Sequence, residues 1–361
     1  MVAEVQTSID DKIAIYESTR DKGVAFLLSC VERNGGVADR SRPRFSFYRV
    51  PWALAVSGET RAAVRVLDWI ERDCLGDDGR IHGGVAWDPV PNRTTNTYAE
   101  TSIAYGAMLL RRFDIARKTL GYARQYQDMA TGGIFMTRDE TGPNGRQLLF
   151  PTCQFGMSAV IAGDLDSAVR VGEWLERMWN SQPDLPARLY TIWTQSGGLA
   201  TRVPDGENRC HYVNESQDTW QYHYNGGIAA ACLAHLYLAT GDQRWNLLAQ
   251  KFQRFSMDST DTQFQTRQVC KSAWGSGLIS LANRDNSYLP WLLKMGDWFA
   301  SGQEPDGRWS NTPNIDPNPP LAHQIETTAE FVVHMETLIA AISAIDARTL
   351  KLGKPHSRRN R

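Results

Sequence analysis

The densest concentration of side chains able to move protons or grip a polar ligand is the run Asp218-Thr219-Trp220-Gln221-Tyr222-His223-Tyr224-Asn225. Histidine titrates nearest neutrality, and Tyr222 or Asp218 is suited to orient it. The run therefore reads as an acid/base centre with His223 carrying the proton. Trp220, Tyr224 and Asn225 would bind substrate beside it. An aromatic helix cap tucked under a loop is the alternative reading of the same residues.

Similar mixtures recur along the chain. Phe47-Tyr48-Arg49-Val50-Pro51-Trp52 offers Tyr48, Arg49 and Trp52 as ligand contacts, with a proline suited to the first turn of a helix. Tyr98 and Glu100 stand in Asn96-Thr97-Tyr98-Ala99-Glu100-Thr101. There Glu100 is either a catalytic carboxylate or the capping-box partner of Thr97, three residues earlier. Gln154 follows Cys153, a thiol that reads as a small buried hydrophobe. Lys271 and Trp274 sit among small residues, where a cation suggests a pocket-facing position. Glu326 precedes Thr327-Thr328, again as cap or as catalyst. His82, Trp87, Trp193 and His211 occupy loop-like segments and are expected to contact substrate. His235 and His334 lie deeper in apolar segments and read as core.

These clusters stand at corresponding points of an internal repeat. A helix of small residues meets a Gly/Asp turn, and an amphipathic helix follows. The copies run through 52–70, 98–117, 159–175, 228–252 and 271–299. A first helix crowded on both sides carries Ala, Gly and Ser. Its successor shows the three-to-four apolar spacing of a helix with one wet face. Gly in the turn ends one helix and Asp caps the next. Adding helices near 12–33 and 325–346 gives about twelve, six inner and six outer. The expected fold is all-α: a single (α/α)6 barrel, or toroid, over residues 1–350, with 351–361 as a basic flexible tail. The long loops 34–46, 76–96, 131–150, 181–218 and 302–323 all precede an inner helix. They should gather at one mouth, around a central pocket.

The composition narrows the function. A formal net charge of -1 gives no reason to expect nucleic acid or an anionic membrane surface as partner. No run reads as the roughly 18 apolar residues of a membrane span, and the polar N-terminus lacks the order of a signal peptide. Six scattered cysteines with no CxxC pair suit reduced thiols, so the expected location is cytoplasmic. No histidine pair has helical zinc spacing, and no phosphate loop, dinucleotide fingerprint or nucleophile elbow occurs. The chain is therefore expected to work on a small molecule without metal or cofactor.

Gln303-Glu-Pro-Asp-Gly-Arg-Trp309 resembles the Gln…Asp-Gly-x-Trp repeat of the terpenoid cyclase and protein prenyltransferase toroids, with a looser copy at 127–135. The stretch 220–242 resembles the inner-helix signature of six-hairpin glycosidases and related lyases and epimerases. Both resemblances imply the toroid and neither implies a reaction, because function resides in the site a fold carries. The acidic Asp-x-Asp-Asp, the Asp-Asp-x-x-Asp metal motif and an inner-helix Asp-Asp pair are missing. Two expectations follow. One is a cofactor-independent isomerase, cyclase or lyase folding a hydrophobic natural-product-like substrate in an aromatic cavity. The other is a six-hairpin carbohydrate-active enzyme: a glycosidase, unsaturated-uronyl hydrolase, lyase or epimerase. A lining of Trp, Phe and Met with one acid/base group would favour the first. Two carboxylates about 5–10 Å apart would favour the second.

Overall fold

A computed structural model describes residues 8–38, 47–81, 97–137, 139–218, 221–310 and 319–353, the last five as backbone alone. Twelve α-helices organise these residues. They are α1 (Ile9–Ser29), α2 (Val50–Val56), α3 (Thr60–Asp73), α4 (Tyr98–Leu109), α5 (Phe113–Arg124) and α6 (Leu149–Ile161). The chain continues with α7 (Leu165–Asn180), α8 (Asn225–Thr240), α9 (Gln243–Met257), α10 (Cys270–Asn283), α11 (Leu289–Ser301) and α12 (Leu321–Gly353).

Helices α2, α4, α6, α8, α10 and α12 pack side by side in that order, and α12 returns to α2. The inner ring is closed. Helices α3, α5, α7, α9 and α11 lie outside it, and α1, first in the chain, packs on α12 as the sixth outer helix. The expected (α/α)6 toroid is the observed fold.

The sequence explains the division. The first ten residues of α6, apart from Phe150, are buried, as are Asn225–Ala234 of α8. Ala, Gly, Ser and Thr there let backbones approach from both flanks. The outer helix α3 buries only Ala62, Ala63, Val66, Leu67, Trp69 and Ile70, one stripe at helical spacing. The hairpin turns use the expected chemistry. Gly241 takes a left-handed φ of 72°, and the Asp242 side chain accepts the Arg244 N–H to start α9. In the fifth hairpin Arg284 supplies the left-handed residue instead.

The loops from outer to inner helices carry a second repeated device. In the 303–309 loop, Gly307 has a φ of +92°, and a Cβ there would run into the carbonyl oxygen of Lys22 in α1. Gln303 Nε2 donates to the Thr19 and Gly307 carbonyls at 2.7 and 2.9 Å, and Trp309 is buried. The motif that suggested cyclase toroids is thus a strap between adjacent outer helices. Gln127 does the same with the Gly132 and Ser167 carbonyls, and Gly35 and Gly79 press on Arg65 and Lys118.

Two features differ from expectation. The 147–215 region holds five short strands: β1 (Gln147–Leu148), β2 (Arg188–Tyr190), β3 (Ile192–Thr194), β4 (Gly198–Leu199) and β5 (Val213–Glu215). They pair antiparallel as β1-β3-β4 and β2-β5. In addition, Leu321–Arg348 of α12 is long and apolar enough to cross a membrane, contrary to the expectation that no segment would be. Its faces are taken up by α1, α2, α10 and α11, which is why a helix of the ring's core has that composition.

Candidate active site

The inner helices present their N-terminal ends to one side of the ring, and a cavity of about 150 Å³ opens there. Its walls are Tyr48 and Arg49 before α2, Tyr98 opening α4, Phe150 in α6 and Tyr224 before α8. Arg267 and Gln268 in the 3-10 turn before α10, Lys271 in the first turn of α10, and Glu326 and Glu330 in α12 complete it.

The charged members form an alternating chain. Arg267 Nη1 lies 3.0 Å from Glu326 Oε2, and Arg49 Nη1 lies 2.9 Å from Glu326 Oε1. The same Arg49 nitrogen is 2.8 Å from Glu330 Oε2, and Lys271 Nζ pairs with Glu330 Oε1. The order is therefore cation, anion, cation, anion, cation. Except for Arg267, each of these side chains is no more than 7% exposed. Tyr48 donates to Glu326 at 2.6 Å, Arg49 donates to the Tyr98 hydroxyl, and Lys271 stands 5.2 Å from the centre of the Tyr224 ring.

Burial alone would push the Glu330 carboxyl up. The Arg49 guanidinium and Lys271 ammonium outweigh it and hold the group well below the usual carboxylate range. Burial lowers Lys271, but Glu330 together with Tyr98 and Cys270 outweighs that effect and raises it, so the ammonium stays charged. Burial pushes the Tyr48 and Tyr224 phenols well above their ordinary value. The cavity therefore offers fixed charges and protonated phenols.

An aromatic layer lies one helical turn deeper. Trp52 stacks on Tyr105 at 4.0 Å and meets Trp274 edge-on at 5.6 Å; Trp274 stacks on His334 at 4.9 Å. His235 sits 2.9 Å from the Ala231 carbonyl through Nδ1, which must therefore carry a proton, so its Nε2 accepts from the Tyr105 hydroxyl at 3.0 Å. His235 is the satisfied core residue expected. His334 is not, since its buried Nδ1 has no hydrogen-bond partner. Burial holds its imidazole well below the usual value and hence neutral.

Cys270, Glu330 and His334 bring potential ligand atoms within 4.8 Å of one another. The arrangement fits a divalent cation poorly. Both Glu330 oxygens are already engaged by cations, and burial raises the Cys270 thiol away from the thiolate a metal needs.

The residues expected from sequence divide three ways. Tyr48, Arg49, Tyr98, Tyr224, Lys271 and Glu326 come together at the cavity. Trp52, Trp274 and the buried Gln154 lie in the inner ring but not in that wall. His82, Trp87 and Trp220 lie outside the described residues.

The remaining candidates are elsewhere. His223 is buried but does not line the cavity, and desolvation lowers its imidazole to about 4. Tyr222 stacks on Tyr224 at 5.5 Å, and His211 tilts against Tyr222 at 5.1 Å. Asn225 donates to Asn214 at 2.5 Å, Asp218 is exposed, and Trp193 sits in β3 over Gly198. Glu100 does not form the expected capping box: the Thr97 side chain caps nothing, and Glu100 accepts the Ile81 N–H at 3.2 Å. Thr152 and Thr328 do the same for Ile134 and Trp309 at 2.9 and 3.1 Å, so Glu100 occupies a loop-tethering position.

Sequence reasoning missed Phe150, Arg267, Gln268 and Glu330. The readable signal was Glu326, Glu330 and His334 at i, i+4 and i+8 on one face of an apolar helix.

Comparison with solved structures places this architecture. D-mannose isomerase superposes with a TM-score of 0.63 at 13% identity, covering 90% of this chain and 97% of that one. The fold is that of the six-hairpin toroid enzymes. The GH76A alpha-1,6-mannanase from Salegentibacter sp. HEL1_6 gives 0.61 at 13% identity, covering 92% and 100%. An unsaturated glucuronyl hydrolase specific for heparin gives 0.60 at 11%, covering 93% and 98%. No family model and no curated protein sequence matches the chain.

Proposed function

We propose that the chain is a carbohydrate-active enzyme whose cavity holds one sugar unit, and that its reaction is an isomerisation or epimerisation. The observation that carries the reading is the polar wall: two carboxylates on one guanidinium nitrogen, ringed by three tyrosines, at the centre of a six-hairpin toroid. Alternating donors and acceptors suit a ligand covered in hydroxyls, and the rings of Phe150 and Tyr224 suit the apolar face of a sugar. A hydrophobic natural product would strand these charges without water, so the cyclase reading loses its support. The D-mannose isomerase and unsaturated glucuronyl hydrolase among the structural neighbours agree with a sugar ligand.

Isomerisation is favoured because both carboxylates are held by guanidinium groups, leaving neither as an unpaired acid for glycosidic cleavage. Arg49 and Lys271 are placed to polarise a carbonyl and stabilise the oxyanion formed when the Glu326 carboxylate takes the proton of the adjacent carbon, to return it to the neighbouring carbon. One observation favours glycoside hydrolysis instead. The two Arg49-bound carboxylate oxygens are within about 6 Å of each other, near the separation of a retaining pair.

Proton NMR of aldohexoses and hexuronates in D2O tests the choice. Solvent exchange at C2 that disappears in Lys271→Met supports isomerisation. Release of nitrophenol from aryl glycosides without exchange supports hydrolysis, and neither activity across both panels overturns the proposal.

A further inference from the structure

Five ionised side chains meet in the cavity, three cations and two anions. Among the described residues Arg49, Arg267 and Lys271 meet no third carboxylate there. A buried group of charges that does not sum to zero is expensive, because the low-dielectric interior repays desolvation only where charges are paired. The remaining charge has a definite place. The two ends of the chain are Arg267, in the 3-10 turn Arg267–Val269 that leads into α10, and Lys271, in the first turn of α10, and both line the same cavity.

Both ends keep donors in reserve. Arg267 uses Nη1 on Glu326 and Thr327, and no hydrogen bond occupies its Nη2 among the described residues. Lys271 gives one of its three protons to Glu330. The inner helices also direct their N-termini to this side, and each adds a partial positive charge from unsatisfied N–H groups.

From this juxtaposition we infer that the ligand is an acidic sugar whose carboxylate docks between Arg267 and Lys271. The inference rests on the sugar-pocket reading above and adds to it the charge of the substrate. One surplus positive charge matches a carboxylate, whereas a phosphate monoester carries nearly two negative charges at neutral pH. A planar carboxylate also matches the fork of a guanidinium. Glu326 and Glu330 then face the sugar hydroxyls and repel a second anion. Arg267 and Lys271 are thereby specificity-determining residues, selecting a hexuronate over the corresponding hexose.

Calorimetric titration of the intact chain with D-glucuronate, D-galacturonate, their neutral carboxamides, D-glucose and D-glucose 6-phosphate tests the inference. At least one uronate is expected to bind about tenfold or more tighter than its carboxamide and than glucose. In Arg267→Gln that preference should fall below about threefold while carboxamide affinity is kept, and Arg267→Lys should restore part of it. A merely structural role for Arg267 would weaken acid and amide together. Equal binding of acids and amides overturns the inference and leaves the sugar pocket standing. A sugar phosphate binding tighter than either uronate overturns the carboxylate assignment, and binding of no sugar overturns both readings.

Discussion

Replacing Arg49 with methionine keeps the length of the side chain and removes the charge that joins Glu326 to Glu330. Each carboxylate retains one cation, Arg267 for Glu326 and Lys271 for Glu330, but both are nearly inaccessible to water. Truncating one partner of a buried ion pair costs about 3–5 kcal/mol, chiefly through the charge left behind. Arg49→Met should therefore lose stability of that order at pH 7.5. The loss should also depend on pH. In the native protein Glu330 is depressed, so it contributes stability that is present above the unfolded carboxylate pKa of about 4.3 and is lost as pH falls through the folded value. Without Arg49 the burial that pushes Glu330 up is opposed chiefly by the Lys271 ammonium, and the folded protein takes up a proton more readily. The gap between native protein and variant should narrow on going from pH 7.5 to 4.5. Urea unfolding followed by tryptophan fluorescence and circular dichroism, with coincident transitions as the check on two-state behaviour, measures both quantities. A loss below about 1 kcal/mol, or one equal at both pH values, would refute the argument that Arg49 neutralises the pair.

Gly307→Ala should destabilise by about 1–3 kcal/mol, since it places a Cβ at positive φ against the Lys22 carbonyl; an unchanged melting temperature would show that the strap bears no strain. Glu100→Gln keeps an acceptor for the Ile81 N–H and should cost under about 1 kcal/mol, whereas Glu100→Ala should cost about 1–3 kcal/mol; equal losses by denaturant titration would contradict the tethering role. His223 stays neutral when folded down to about 4, so the unfolded chain binds the extra proton first and stability falls as pH drops from about 6.5 to 4. That contribution is up to about 3 kcal/mol, and His223→Gln should flatten the slope; parallel slopes for the two proteins would dismiss it.

How much of this could be read from sequence depends on what water touches. The outer helices advertise themselves, because Val66, Leu67 and Ile70 alternate with charges at the period of a one-sided helix. The small-residue inner helices are recognisable by contrast, and Lys271 is conspicuous among Ser272, Ala273 and Gly275. The direction in which an inner residue points is another matter. On a helix buried on every side the one mark of facing is Glu326, Glu330 and His334 at four-residue spacing, and which wall that face joins is fixed only when the ring closes around it. His223 misled for the opposite reason. Its polar, aromatic neighbourhood is real, but Tyr224 turns into the cavity while the adjacent imidazole does not. Arg267 lies outside any repeat, in a short 3-10 turn whose position no periodicity specifies.

The pairing of α1 with α12 makes the ring a closure in time as well as in space. Neighbouring hairpins join elements a few residues apart, whereas this one joins segments about three hundred residues apart in synthesis. Loop-closure entropy grows only by about 0.6 kcal/mol per doubling, so the delay costs little at equilibrium. Its effect is on order of assembly. Arg49 is made early and Glu326 and Glu330 late, so the alternating charges meet only when the last inner helix docks against the first. A partly folded chain holds four or five hairpins and no active centre, and any ligand of the cavity will stabilise the finished ring at the expense of every open precursor.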